Sequence, residues 1–228
     1  MSEPYYISEK HKQDIKMTLC TIVGMGPGIG YALARRFGRE GLEIGMIARN
    51  EEHLQHYELS LWEARISSSY AAADAGDTAN LQLALQKLGN PQVLIYNAAV
   101  VGKSTAEKID AEKLRSDLQV NVGGALVAVQ QVLPSMLDKG GSLLFTGGSF
   151  AHVPNPNYFS LSIGKAALWN MAMCLAREYE PRGIHVGIVS VYGKVARGTR
   201  YDPDLIAQEF WKLHMQPRDK WEREVHIK

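Results

Sequence analysis

Short runs of apolar residues alternate along the chain with longer stretches in which apolar positions recur every three or four residues. The short runs predict strands near residues 18–23, 43–48, 69–73, 92–96, 141–146, 184–191 and 224–227. The longer stretches predict helices near residues 29–40, 51–65, 78–88, 110–138, 158–181 and 203–214. Strand and helix therefore follow each other from residue 18 to the end of the chain.

Several predicted strands, such as Val93-Leu94-Ile95 and residues 184–191, are apolar at consecutive positions instead of alternate ones. A strand that is covered on both faces reads in this way, and both faces are covered in parallel sheets. We therefore predict an α/β fold with a single Rossmann-type doubly wound parallel sheet of about seven strands and helices on both faces. This domain spans residues 18–228, and residues 1–17 precede it as an N-terminal arm.

Composition and charge narrow the partners that the chain can have. Of its 228 residues, 46% are apolar and 21% are charged, and the formal net charge is +1. A nearly neutral chain offers no electrostatic case for nucleic acid or for a membrane surface. No run of about 18 apolar residues suggests a membrane span, and the polar start lacks the apolar core of a signal peptide. We expect a cytoplasmic protein in which Cys20 and Cys174 are buried thiols and form no disulfide.

Four glycines cluster directly after the first predicted strand, in Gly24-Met25-Gly26-Pro27-Gly28-Ile29-Gly30. Glycines at this place permit a tight turn, a close approach of the backbone to a pyrophosphate, and close packing of helix on strand. The free N–H groups at the start of the next helix then face the phosphates. The cluster indicates a nicotinamide dinucleotide site, and the alternative is an ordinary strand-to-helix turn.

The end of the second predicted strand bears on the choice of cofactor. NAD sites place an acidic residue there for the ribose 2′-hydroxyl, whereas this chain has Ala48 followed by Arg49. An arginine beside the ribose suits a 2′-phosphate, so the sequence favours NADP(H) over NAD(H). The alternative is that Arg49 is a solvated loop residue.

On these residues the chain resembles the short-chain dehydrogenase/reductase family over roughly residues 18–228. Gly24, Gly28 and Gly30 match the family's first loop, and further matches are Asp74, the stretch 96–99, Asn121 and Lys165. The resemblance implies a cofactor site formed by Gly24, Gly26, Gly28, Ile29, Gly30, Arg49, Asn50, Asp74, Ala75, Asn97, Ala98, Lys165 and Val195. It also implies a homodimer or homotetramer paired through helices 110–138 and 158–181, and the alternative is that the apolar stretches of these helices face the sheet as core.

At two positions the chain lacks the family's residue, and both positions belong to the family's catalytic residues. Leu161 stands where the family has its catalytic tyrosine, and Gly148 stands where it has its catalytic serine. The family's tyrosine exchanges the carbonyl proton during hydride transfer, the lysine lowers its pKa and holds the nicotinamide ribose, and the serine binds the substrate oxygen. The family has four catalytic positions, which hold Asn121, Gly148, Leu161 and Lys165 in this chain. Only Asn121 and Lys165 keep the family's residue.

Other side chains lie near enough in sequence to replace the lost groups. Tyr158 falls on nearly the same helix face as Leu161 if the helix has already begun there, and Ser149 follows the lost serine position. For Tyr158 the alternative is a surface or interface aromatic residue, and for Ser149 it is a turn residue. Weaker candidates are Ser160, Ser162, His152 and Tyr192. The expected catalytic set is thus Asn121, Lys165, Tyr158 and Ser149.

The seven histidines are scattered and show no metal-ligand spacing, so we predict no metal site. Two functions follow from the resemblance and its failures. The first is an NADP(H)-dependent oxidoreductase of the short-chain type that acts on an unidentified small carbonyl or alcohol with a non-standard proton donor. The second is a catalytically impaired NADP(H)-binding protein that serves as a sensor or subunit. A lysine that is retained without its tyrosine indicates cofactor binding more strongly than catalysis.

Overall fold

The computed structural model describes residues 18–228, and the predicted N-terminal arm, residues 1–17, lies outside them. The strands are β1 (Leu19–Val23), β2 (Glu43–Ala48), β3 (Ser68–Ala72), β4 (Val93–Tyr96), β5 (Gly141–Gly148), β6 (Ile184–Val191) and β7 (Glu224–Ile227). The α-helices are α1 (Ile29–Arg39), α2 (Glu51–Glu63), α3 (Thr78–Leu88), α4 (Ala111–Leu118), α5 (Gly124–Lys139), α6 (Phe159–Tyr179) and α7 (Pro203–His214).

All seven strands form one parallel sheet in the order β3-β2-β1-β4-β5-β6-β7. The predicted fold class is confirmed. The chain winds outward from β1 in one direction as far as β3 and then returns to add β4 on the other side of β1. The order of the strands therefore reverses between β1 and β4, and in sheets of this kind a ligand crevice opens at the carboxyl ends of the strands on either side of that reversal.

Two buried clusters, one on each face of the sheet, explain the consecutive apolar residues of the strands. Leu94 and Phe145 belong to the cluster that α3, α5 and α6 cover. Ile95 and Leu144, their neighbours in sequence, belong to the cluster that α1, α2 and α7 cover. Because successive strand residues point to opposite faces, each strand needs an apolar side chain at nearly every position.

The predicted helix 110–138 is divided by a π-helical turn at Gln119–Gly123 between α4 and α5. The Tyr96 hydroxyl donates a hydrogen bond to the Val120 carbonyl within this turn. At the start of α5, a Cβ on Gly124 would lie 2.1 Å from the Ala75 carbonyl oxygen, so only glycine permits this approach. The chain stays helical through this turn, which is why the sequence predicted one helix.

The prediction for the cysteines is wrong in one respect. Both thiols are free, and Cys20 is buried in β1, but Cys174 is exposed on α6. The apolar character of α6 led to this error, because buried residues such as Ala172 and Leu175 lie within two positions of the exposed thiol.

By length and composition alone, residues 111–139 and 159–182 each form a helical stretch long and apolar enough to cross a membrane. Both stretches pack against the sheet, where Val129 and Leu168 are buried in the core. The core helices of a folded domain pass the same test, so this finding is weak evidence for a membrane span. The expectation that no segment spans a membrane stays a prediction.

Candidate functional site

A cavity of about 490 Å³ opens at the carboxyl ends of the strands where their order reverses. Its size is typical of small-molecule sites. Six residues of the predicted cofactor site line it: Gly24, Arg49, Asp74, Ala75, Asn97 and Ala98. The sequence did not single out the apolar remainder of the lining, which includes Met25, Ile47, Val100, Val101 and Val120.

The turn after β1 requires glycine at two positions. Gly24 has φ +94°, and a Cβ there would lie 2.3 Å from the Ala98 amide nitrogen. At Gly30 a Cβ would lie 3.0 Å from the Gly24 carbonyl oxygen, so a side chain would push α1 away from the turn. The Gly24 and Met25 amides both donate to the Ile47 carbonyl at 2.9 Å, which fixes the turn to β2.

Gly26 and Gly28 do not line the cavity, and they leave open space above the turn. A Cβ on either of them would meet no atom within 4 Å. Helix α1 begins at Ile29, and no side chain caps its start at Gly28. The first N–H groups of a helix have no partner within it and carry a partial positive charge. The residues present therefore fit the pyrophosphate of a dinucleotide, with room for it over the glycines and donors at the helix start.

Arg49 and Asp74 lie at the rim of the cavity, at the ends of β2 and β3. Arg49 is exposed, and it has no hydrogen bond or ion pair within residues 18–228. Asp74 accepts a hydrogen bond from the Gly76 amide at 2.8 Å. Asn50 does not line the cavity: its side chain accepts from the His53 amide at 2.9 Å and caps α2. The Asn50 side chain is thus used in helix capping, and a cofactor contact of Asn50 stays a prediction.

A chain of three hydrogen bonds connects the glycine turn to Lys165. The Asn97 amide group donates to the Gly24 carbonyl at 2.8 Å, and the Thr146 hydroxyl donates to Asn97 Oδ1 at 2.8 Å. Lys165 Nζ then donates to the Thr146 carbonyl at 2.6 Å. Thr146 was not predicted from the sequence, although a polar residue near the end of an otherwise apolar buried strand is a signal that could have identified it.

Lys165 is buried on α6 and is not among the residues that line the cavity, so its ammonium group is held out of water. This burial lowers the pKa of its ammonium group to about 8, because the charged form loses its hydration. An ammonium group has three N–H donors, and in the described part of the chain only the Thr146 carbonyl accepts from it. Two donors of Lys165 are thus available to a ligand.

Asn121 lies buried in the π-helical turn, against the same helix as Lys165. Its Oδ1 accepts from the Val100 amide at 2.7 Å, and its Nδ2 is buried without a partner among residues 18–228. A Cβ on Gly164 would lie 2.7 Å from that Nδ2, so the missing side chain gives Asn121 room beside Lys165. Asn121 thus packs against α6 at the residue before Lys165, the other retained member of the expected catalytic set.

The two lost positions lie beside Lys165 as well. A Cβ on Gly148 would lie 3.9 Å from Lys165 Cε, which is an ordinary contact, and the backbone of Gly148 is extended. A serine would fit there without strain. Leu161 is buried one helical turn before Lys165 and presents no polar atom. No side chain at either position can give or take a proton.

Among the candidate replacements, Tyr158 does not meet the condition on which it was proposed. Helix α6 begins at Phe159, and Tyr158 precedes it with φ −129° and ψ 48°, so the argument from a shared helix face fails. The Tyr158 ring stacks on Phe150 with 5.3 Å between the centroids. Ser149 is half-buried, and its hydroxyl has no hydrogen-bond partner in the part of the chain that the structure describes.

The weaker candidates are engaged elsewhere. The Ser160 hydroxyl donates to Asp117 at 2.7 Å, and the Ser162 hydroxyl donates to the Asn155 carbonyl at 3.3 Å. His152 and Tyr192 contact residues of β7, which the sequence did not connect with them.

The loop between β6 and α7 does not place Val195 in the cavity. Val195 packs against the buried cluster that α1 and α7 cover. Tyr201 lies over Gly193, where a Cβ would come within 2.1 Å of its ring. The loop is therefore folded upon itself, and a nicotinamide contact through the Val195 backbone stays a prediction.

Comparison with known proteins gives consistent matches to one family. The sequence profile of the short chain dehydrogenase family matches residues 18–199. A glucose 1-dehydrogenase from Gluconobacter oxydans is 28% identical over 178 residues, which are 74% of this chain and 66% of the relative. A 3-dehydrosphinganine reductase from Arabidopsis thaliana is 28% identical over 180 residues, which are 77% of this chain and 54% of the relative. The chain thus spans less than two thirds of the length of either protein.

Solved structures share the fold at lower sequence identity. A short-chain dehydrogenase from Rhodopseudomonas palustris superposes with a TM-score of 0.84 at 22% identity, over 92% of this chain and 98% of the other. An NADPH-bound short chain oxidoreductase from Pseudomonas aeruginosa PAO1, described as containing an atypical catalytic center, gives 0.83 at 18% identity, over 92% and 94% of the two chains. Since the family profile covers most of the chain and the folds agree, the protein belongs to the short-chain dehydrogenase/reductase family.

Proposed function

We propose that this oxidoreductase uses NADP(H), acts on a small carbonyl or alcohol, and takes its proton from a non-standard donor. The observation that supports it most is the position of Lys165. It is buried beside the two lost side chains, it is joined by hydrogen bonds to the glycine turn, and it has donors to spare.

The preference for NADP(H) rests on Arg49. Its guanidinium lines the cavity at the end of β2 and has no acidic neighbour bound to it within residues 18–228. A 2′-phosphate would give it a bidentate partner, whereas the 2′-hydroxyl of NAD would not. The Pseudomonas aeruginosa protein is a precedent for NADPH beside an atypical catalytic center in this fold.

In this proposal the Lys165 ammonium group is the proton donor. When bound, a nicotinamide cofactor supplies the hydride. Lys165 donates a proton from Nζ to the substrate oxygen as that oxygen gains negative charge, and the resulting neutral amine takes a proton from water. A pKa of about 8 suits this role, because the amine is protonated at neutral pH and releases its proton more readily than a solvated lysine.

A second candidate function is an NADP(H)-binding protein without catalytic activity. Leu161 and Gly148 favour it, because neither side chain carries a polar atom. In either case we propose a cytoplasmic homodimer or homotetramer that pairs through α4, α5 and α6. The family resemblance supports such pairing, and Leu126 on α5, which is 41% exposed, would lie in the contact.

The test is reduction of diacetyl, an activated small diketone, by NADPH at saturating cofactor between pH 6 and pH 10. We expect slow turnover whose kcat falls as the pH rises through about 8, where Lys165 loses its proton. Lys165→Met should lower kcat by about 10²-fold or more, the usual contribution of a general acid. Tyr158→Phe and Ser149→Ala are the matched controls and should retain activity.

Each alternative has its own result. Loss of activity in Tyr158→Phe or Ser149→Ala, with Lys165→Met active, would assign the proton to a hydroxyl and refute the role of Lys165. Tight NADPH binding without turnover of diacetyl or of other small carbonyls would favour the non-catalytic protein. A Lys165→Met variant that changes only the KM for NADPH would show that Lys165 holds the cofactor and donates no proton.

A further inference from the structure

Three potential metal ligands from distant parts of the chain meet beside β7, the edge strand of the sheet. His152 lies in the turn after β5, while Glu224 and His226 occupy alternate positions of β7 and therefore share one face of it. One ligand atom from each lies within 4.8 Å of the other two. His152 Nε2 is 2.8 Å from Glu224 Oε1, and His226 Nε2 is 3.7 Å from Glu224 Oε2.

We propose that this His–Glu–His cluster (His152, Glu224 and His226) binds one Zn²⁺ ion. Two imidazoles and one carboxylate are a common ligand set for zinc, and water completes the coordination. With metal–ligand distances of about 2.0–2.1 Å, neighbouring ligands of a tetrahedral ion are about 3.3 Å apart. The His152–Glu224 separation is shorter than that value and the His226–Glu224 separation is longer, so both histidines would shift to share one ion.

The carboxylate is already oriented by groups that do not take part in the cluster. The Ser190 hydroxyl donates to Glu224 Oε1 at 2.7 Å, and Trp169 Nε1 donates to Glu224 Oε2 at 2.7 Å. Ser190 lies in β6 and Trp169 in α6, so rigid elements hold Glu224 from two sides. Such outer contacts fix the direction of a ligand before the ion arrives.

Tyr192 plays the corresponding part for His226. The Tyr192 hydroxyl is 3.0 Å from His226 Nδ1. If Nδ1 carries the proton and donates it to this hydroxyl, Nε2 keeps a free lone pair directed toward Glu224. Metal-binding histidines are commonly held in this way through their other ring nitrogen.

The surroundings favour a borderline transition metal over Mg²⁺ or Ca²⁺. Those hard cations need several oxygen ligands, whereas the cluster offers one carboxylate and two nitrogens. The side chains of His152 and His226 are 29% and 38% exposed, so an ion and its water can enter. The positive charge of Lys228 would repel the ion. Its ammonium group lies 5.2 Å from the centroid of the Tyr192 ring.

A simple ion pair between His152 and Glu224 is the competing interpretation. It explains the 2.8 Å contact, and the 3.7 Å separation of His226 Nε2 from the second carboxylate oxygen is within ion-pair range as well. A bound ion uses all three side chains. It would join the edge strand to the turn that follows Gly148, and this inference does not depend on the proposed oxidoreductase activity.

The test uses the full chain without an affinity tag, treated with EDTA and then titrated with Zn²⁺ by calorimetry. We expect one ion per chain, and we expect Co²⁺ in its place to give the visible absorption of a tetrahedral centre. His152→Ala and His226→Ala should each weaken binding at least tenfold. Tyr192→Phe should weaken it by about tenfold without removing a ligand. His56→Ala, at an exposed position on α2, is the control and should bind as the unaltered chain does.

Absence of a saturable site for one ion in the unaltered chain would overturn the proposal. So would Zn²⁺ affinity that is unchanged in the double variant His152→Ala/His226→Ala, because binding would then lie elsewhere, for example in residues 1–17. If the histidine variants fail to fold, as judged by circular dichroism, the Tyr192→Phe variant still decides. Unchanged affinity in that variant would contradict the outer contact on which the geometry depends.

Discussion

The burial of a single charged residue, Lys165, lowers the stability of the folded chain. Its pKa falls from 10.5 to about 8, which corresponds to about 3 kcal/mol against the charged form. The penalty is full below pH 8, where the lysine is charged in the folded and unfolded chains alike. It disappears as the pH rises from about 8 toward 10.5, because only the unfolded chain then keeps the proton. Such perturbed groups are typical of functional sites.

Replacing Lys165 by methionine should therefore stabilise the protein at neutral pH. We expect a gain of about 1–2 kcal/mol in the free energy of unfolding at pH 7, because the loss of the hydrogen bond to Thr146 offsets part of the benefit. The gain should shrink or reverse by pH 10. Urea unfolding of both proteins at the two pH values measures it, with Lys108→Met at an exposed position as the control. A gain that is equal at both values would contradict the buried charge.

At the same scale, we propose that Arg49 determines the choice between NADPH and NADH. NADPH should bind more tightly than NADH to the unaltered protein, by about tenfold or more, since a charge-assisted bidentate contact contributes about 1.5–3 kcal/mol. Arg49→Ala should remove most of that difference and leave NADH affinity nearly unchanged. Fluorescence titration with both cofactors gives the ratio. Equal affinities in the unaltered protein would rule out the assignment.

At the scale of elements, the glycines in the turn between β1 and α1 have two different roles. Gly24 and Gly30 allow backbone segments to approach each other, whereas Gly26 and Gly28 leave space that the folded chain does not fill. The first use concerns stability and the second concerns a ligand. A substitution can therefore affect one without the other.

Gly26→Ala should leave the free energy of unfolding within about 0.5 kcal/mol of the original, because its Cβ meets nothing in the protein. NADPH binding should weaken at least tenfold, since the methyl group would occupy the space of the pyrophosphate. Gly141→Ala provides the opposite control. Its Cβ would lie 2.6 Å from the Gln92 carbonyl oxygen at the far end of β5, so it should cost about 1–3 kcal/mol and spare cofactor affinity. Normal NADPH binding by Gly26→Ala would be evidence against a pyrophosphate over this turn.

The sequence predicted the elements more completely than it predicted the site. Burial on both faces makes the strands of a parallel sheet apolar throughout, and this signal is visible without any knowledge of tertiary contacts. The pairing of His152 with Glu224 joins residues 72 positions apart, and no local pattern indicates it. Only the alternation of Glu224 and His226 on one strand could have suggested a shared face. Thr146 was missed because its role depends on Asn97 and Lys165, which come from two other elements.

At the scale of the whole molecule, the exposed Leu126 on α5 leads to a prediction about the oligomeric state. Light scattering at micromolar concentration should give the mass of a dimer or tetramer, because the family resemblance implies pairing through α5, which carries the exposed Leu126. Leu126→Glu should shift the population toward the monomer. Leu59→Glu, on the exposed face of α2, should leave the mass unchanged. A monomer in the unaltered protein would remove the proposed pairing.

The position of β1 between β2 and β4 has a consequence for how the chain folds during its synthesis on the ribosome. β1, β2 and β3 leave the ribosome first and can pair at once, but the other edge of β1 must wait for β4. At about 5–20 residues per second, the intervening chain takes several seconds to synthesise. During that interval an apolar strand edge is open to other nascent chains. The yield of folded protein should therefore depend on how crowded the translating ribosomes are, as well as on the stability that the finished sheet attains.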